Sequence, residues 1–327
     1  GAHRALHSFP TRRSSDLFRN GSGTGAVTGR LDIGGGTVNL GSVELARNTS
    51  SSGNPVIGTM DIRGGSVTMG GNLFKGGGAG AVASLLMTNN AILDMGGFAI
   101  GSGANAIDTL QLDSGTLRNV GEINGGAAWT KNGSGTLTIE GANTYAGNLT
   151  VAAGTLQYNG TYTGGGLITV QGGASLMGTG TVANLTLGAT ASLKPGNSAG
   201  TLTVGDLTLD AGTTLEYDLQ TVSSSDLVLA QTVALGGIDF DNFTFLPGVG
   251  FGPGVYTLIN ATSISGLGAG TSGSIATIGE VEYTGTLSIG GGDGQDLMLT
   301  VIPEPATFGL IGMLTVVAAL FRRRLKN

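Results

Sequence analysis

The sequence predicts an all-β protein, a parallel β-helix (solenoid), followed by one transmembrane α-helix at its C-terminal end. Three observations carry that expectation. Of 327 residues, 63 are Gly, 40% are hydrophobic, 11% are charged and 5% are aromatic. Aliphatic side chains alternate with Thr, Ser, Asn and Gly along the body, the period of a half-buried strand. Short strand-and-turn units recur down the chain until residues 301–327, where an uncharged apolar run closed by arginines takes over.

Composition narrows the alternatives. Disordered chains are poor in Val, Ile and Leu, and this one is not. Glycine shows no three-residue period, which excludes collagen and leaves turns and close stacking as its use. The net charge is −6 and the basic residues are scattered apart from the last few, so nucleic acid is not expected as a partner. Without Cys there is no disulfide framework and no thiolate metal site.

Residues 1–18 are set apart as a non-native or disordered leader, because HSFPTRRSSDL from His7 to Leu17 resembles the translation of a sequencing adapter. Residues 19–124 read as irregular coils. Leu31-Asp-Ile-Gly-Gly-Gly-Thr-Val-Asn-Leu-Gly41 matches Met60-Asp-Ile-Arg-Gly-Gly-Ser-Val-Thr-Met-Gly70 nearly position by position, and weaker copies begin at Leu86 and Leu110. From residue 129 the pattern tightens: Leu137, Leu156, Leu176, Leu193 and Leu215 lie 19, 20, 17 and 22 residues apart. Each unit has too few apolar residues for a core of its own, so successive units must stack to bury them.

The segment from Trp129 through Gly-Ser-Gly-Thr-Leu-Thr, Asn-Thr-Tyr-Ala-Gly147 and Gly154-Thr-Leu156 resembles the autotransporter-associated β-strand repeat, also called the passenger-associated transport repeat. Its carriers here are Trp129, Gly135, Leu137, Tyr145, Gly147, Gly154 and Leu156. The resemblance covers about residues 125–300 and implies a right-handed β-helix outside the cell. The sequence departs from ordinary autotransporters in showing no translocator barrel after the repeats, so self-translocation is not expected and the C-terminal helix is expected to take its place.

Residues 306–321, ATFGLIGMLTVVAALF, precede Arg322, Arg323 and Arg324. As a helix they rise about 24 Å, somewhat short of a hydrocarbon core of roughly 30 Å, and snorkelling arginines close the gap. The arginines act as a membrane stop and place the preceding chain on the far side of the membrane. Pro303, Glu304 and Pro305, the helix and the arginines together resemble a PEP-CTERM sorting segment spanning 301–327. That resemblance implies an exosortase-type processing enzyme and the membrane lipid as partners, with association to extracellular polysaccharide.

No catalytic, cofactor or metal site is expected. His3 and His7 both lie in the leader. Asp239 and Asp241, were they on one strand, would share a face as an acid and base pair, but without nearby Lys, Arg or a sugar platform they read as a turn-flanking pair. Asp296 in Gly291-Gly-Asp-Gly-Gln-Asp-Leu-Met-Leu299 fits one calcium nonapeptide; one copy gives only part of a Ca²⁺ shell, which favours a Gly-rich hairpin. Trp129 and Tyr145 read as packing across coils rather than as a carbohydrate platform. The sequons at Asn148 and Asn184 are expected by chance in a Thr-rich chain. The favoured function is an exported structural or adhesin-like surface protein. The rivals are a β-helix polysaccharide hydrolase or lyase and an adhesin that keeps its membrane anchor unprocessed.

Overall fold

The computed structural model describes residues 15–16, 19–20, 25–49, 54–291 and 295–304, wound almost entirely from parallel strands. Helix among the described residues is confined to the 3₁₀ turn Phe240–Asn242. The two matching sequence units lie side by side: Leu31 opposes Met60, Ile33 opposes Ile62 and Val38 opposes Val67, within Val27–Leu40 and Val56–Met69. Ser15–Asp16 and Arg19–Asn20 pair in parallel with the coil that follows, so part of the segment read as leader lies in register with the stack.

The coils up to about residue 162 carry strands on three faces. The strand Val56–Met69 bends so that its first half pairs with Ala81–Met87 and its second half with Ile92–Asp94. A separate sheet through Val43–Leu45, Leu73–Lys75, Ala99–Ile100 and Glu122–Ile123 forms a third face. In the repeat region Trp129–Lys131, Thr136–Glu140 and Ala142–Asn143 pair strand for strand with Leu149–Val151, Thr155–Tyr158 and Thr161–Tyr162. Parallel strands buried on their inner face leave the alternate residues outside, which is why the sequence alternates.

The five leucines spaced at 19, 20, 17 and 22 residues are consecutive rungs of one ladder, Leu137 on Leu156, Leu176, Leu193 and Leu215, and all are fully buried. A second ladder runs through Trp129, Leu149, Ile168, Leu185, Leu207 and Val233. Burying one such side chain stabilises the fold by about 1.5–3 kcal/mol, so the stack depends on repetition. On the outer side of the second ladder Thr130, Thr150, Thr169, Thr186 and Thr208 form an unbroken row of hydroxyls.

Parallel stacking ends at Gly254–Ser265. Asp296–Pro303 pairs with that strand antiparallel, Val281–Gly290 pairs with Asp296–Pro303, and Ser272–Ile278 pairs with Val281–Gly290. Periodicity alone did not foresee this reversal. Its reason is visible in Phe240, Phe243 and Phe245, a cluster with ring centroids 5.5 and 5.6 Å apart. Beyond them the solenoid interior has no next coil, and Gly273 of Ser272–Ile278 lies directly on the Phe240 ring. A terminal repeat needs such a cover.

Candidate functional site

Of the residues that carry the repeat motif, Trp129, Leu137, Tyr145, Gly147 and Leu156 are buried in the solenoid, and Gly135 and Gly154 sit half-buried at its corners. Trp129 and Tyr145 are nearly fully buried and meet edge to face at 6.1 Å, and Tyr145 lies 4.8 Å from the Tyr162 ring. They pack across coils and present no aromatic face to solvent. Gly154 sits with φ +69° directly above the preceding coil, where a Cβ would come within 2.5 Å of the Gly135 carbonyl. Gly147 approaches the Ala127 carbonyl equally closely. Leu137 and Leu156 are the neighbouring rungs between them.

Sequence reading missed Lys131, whose position in an alternating strand gave the only clue. It points inward, stacks against Val151 and is fully buried. Its Nζ donates to the carbonyls of Gly133 at 2.6 Å and Ala153 at 2.9 Å. Loss of water lowers its pKa, and the field of Asp113 opposes that shift. Its acceptors are corner carbonyls, so it ties two coils together.

The acids weighed as candidates lie apart. Asp239 is the N-cap of Phe240–Asn242, accepting from the Asp241 amide at 3.1 Å, while the Asn242 side chain accepts from the Asp239 amide. A capping box on a turn replaces the shared strand face considered for Asp239 and Asp241. Asp296 accepts from the Ala261 amide at 3.4 Å and starts the last strand, after the Gly-rich connection. Among the described residues no group of three His, Cys, Asp or Glu side chains is placed to hold a metal ion.

A small depression of about 90 Å³ lies elsewhere, on the corner formed by Pro195-Gly-Asn-Ser198 and the loop after Leu219. Lys194 pairs with Glu216 at 2.9 Å across its rim. Asp226 is 3% exposed, with one carboxylate oxygen accepting from the Asp218 amide at 2.8 Å and the other from the Gly200 amide at 3.0 Å. Burial pushes its pKa up to about 7, with Asp218 and Glu216 adding to the rise and the two amides opposing it. Such a group can hold a proton near neutrality, but both oxygens are already engaged by backbone.

At the far end, Pro303 closes Asp296–Pro303 opposite Tyr283, and the Glu304 amide donates to the Glu282 carbonyl at 2.7 Å. Thr284 donates to the Glu304 carboxylate at 3.0 Å. Pro305, the expected helix 306–321 and Arg322, Arg323 and Arg324 lie outside the described residues. Among the described residues no helix is long and apolar enough to cross a membrane.

A stack of parallel coils with an aliphatic interior, glycine corners and a polar outer face makes this a repeat protein of the β-solenoid kind. Residues 130–157, which begin just after Trp129 and include Gly135, Leu137, Tyr145, Gly147, Gly154 and Leu156, match the family described as Passenger-associated-transport-repeat. The chain is also 32% identical over 117 residues to "Extracellular serine protease" of Serratia marcescens, an alignment covering 36% of this chain and 11% of that protein. The chain thus spans about a tenth of the length of the curated relative it matches. Both comparisons are consistent with an exported, cell-surface protein.

Proposed function

We propose that this chain is an exported, surface-associated structural or adhesin-like protein, a right-handed β-helix with no catalytic site of its own. The observation that carries the reading is the in-register stack of passenger-type coils, in which the aliphatic and aromatic motif residues fill the interior and leave the outer faces for contact. The C-terminal segment, with Pro303, Glu304, Pro305, the helix 306–321 and the stop Arg322, Arg323 and Arg324, directs sorting. An exosortase-type enzyme processes it after the helix has anchored the chain in the inner membrane. Neutral extracellular polysaccharide is the proposed contact, met by the hydroxyl row Thr130, Thr150, Thr169, Thr186 and Thr208. Hydroxyls both donate and accept, which suits a polyhydroxylated chain.

The test is peptide mapping of the protein in fractions of its native host, with and without protease added to intact cells. The reading expects protease-sensitive surface material whose last peptide ends near Pro305. Protein confined to the cytoplasm overturns export, and surface protein that retains residues 306–327 overturns processing.

A further inference from the structure

Asn-Gly pairs occur in the chain at Asn20, Asn124, Asn132 and Asn159, and the fold treats them differently. In such a pair the backbone amide of the glycine, with no Cβ to hinder it, can attack the carboxamide of the asparagine before it. The Asn124 carboxamide is held at both ends, accepting from the Ile107 amide at 2.8 Å and donating to the Ile107 carbonyl at 3.0 Å. At Asn159 the side-chain oxygen accepts from Asn197 at 3.0 Å, and the Gly160 amide is occupied by the Ile139 carbonyl at 3.0 Å. Gly21, beside Asn20, lies outside the described residues. Asn132 differs from the held pairs. It is exposed on a bend between Trp129–Lys131 and Thr136–Glu140, and among the described residues neither its carboxamide nor the Gly133 amide has a hydrogen-bond partner.

The same corner holds Lys131. The buried ammonium reaches the Gly133 and Ala153 carbonyls from a strand locked in register with Leu149–Val151. Gly133 rests directly on the Asp113 side chain, which leaves no room for a Cβ. Stacking therefore requires glycine after Asn132, and the exposed asparagine is left beside the least hindered nucleophile the backbone offers.

We propose that Asn132 is a self-modifying site, which converts without an enzyme to aspartate and isoaspartate and thereby releases the Lys131 tie between coils. The Gly133 amide gives its proton to hydroxide, and its nitrogen bonds to Asn132 Cγ. The carboxamide C–N bond breaks, and its nitrogen leaves as ammonia after taking a proton from water, which returns the hydroxide. The product is a succinimide ring, and water opens it. Attack at Cγ restores the main chain with aspartate at position 132. Attack at the main-chain carbonyl carbon instead leaves the chain running through the side chain as isoaspartate, longer by a methylene. That lengthened link displaces the Gly133 carbonyl, which accepts from Lys131 at 2.6 Å in the present register. Both products also add a negative charge at the corner where Asp113 already lies.

The experiment ages the full chain in warm, mildly alkaline buffer and follows the peptides carrying Asn124, Asn132 and Asn159 by mass spectrometry, with electron-transfer fragmentation to tell aspartate from isoaspartate. Asn132 is expected to convert about tenfold faster than Asn124 and Asn159, which must first break two or more hydrogen bonds. In the chain unfolded in urea the three sites should convert at similar rates, because the fold alone separates them. Comparable rates in the folded chain, or no conversion at Asn132 while the unfolded chain converts, overturn the site. Release of Lys131 is read separately, by amide hydrogen exchange over residues 149–153, where the Ala152 amide donates to the Lys131 carbonyl at 2.9 Å. Protection there should fall in step with isoaspartate and stay constant in Asn132→Gln, whose longer side chain cyclises far more slowly. Unchanged protection in the isoaspartate-bearing chain, or an equal loss in Asn132→Gln, overturns the release.

Discussion

Each inward side chain touches the coil above and the coil below, so a single truncation is felt twice. Leu156 lies fully buried between Leu137 and Leu176, and Leu156→Ala should cost about 2–5 kcal/mol in urea denaturation. Its neighbour Thr155 faces outward, and Thr155→Ala should stay within about 0.5 kcal/mol. Gly154→Ala is the sharper case. The positive φ alone costs roughly 1–2 kcal/mol, and the approach to the Gly135 carbonyl adds to it, so a loss above about 2 kcal/mol is expected from the same measurement. At this scale the sequence was legible where a residue type repeats at a fixed interval, as the leucine ladder and the Trp129 and Tyr145 packing show. Lys131 and Asp226 were not legible, because nothing local says that a lysine ends among carbonyls or that two distant amides converge on one carboxyl.

Among the elements, strand existence was easier to read than register. The weak copy beginning at Leu86 is displaced by one residue: Leu85 opposes Met60 and Leu86 opposes Asp61 on the outer side. The copies fall back into step at Leu93 opposite Val67. The extra residue is absorbed in the turn after Met87, where Asn89 takes φ +58°, a conformation that Asn tolerates. A one-residue shift flips every side chain to the other face, which is why a motif alignment that ignores turn length goes wrong there. The antiparallel end was illegible for a different reason. Its strands alternate like any others, and only the absence of a further coil above Phe240, Phe243 and Phe245 calls for a cover. A chain ending at Ser265 would uncover those rings and the open edge of Gly254–Ser265. It should associate with rising concentration in analytical ultracentrifugation; a monomer with unchanged thermal stability would show that the last three strands are dispensable.

For the whole molecule, stability is a sum of coil-to-coil contacts, and the outer faces are free to differ without disturbing the interior. That separation explains why the class of the protein could be read from its repeats while its contact surface could not, since ladders repeat and surface patterns do not. It also makes the register of the stack the central claim. The chain has no cysteine, so pairs can be introduced on a silent background. Thr155 and Ser175 are neighbouring rungs, about 4.8 Å apart by strand spacing, within the reach of a disulfide. Ser192 lies one rung further, at about 9.6 Å from Thr155, beyond that reach. Mild oxidation should therefore close an intramolecular bond in the Thr155→Cys, Ser175→Cys variant and leave the Thr155→Cys, Ser192→Cys variant reduced and monomeric. The opposite order, or equal closure in both, would contradict the stacked coils on which the functional reading rests.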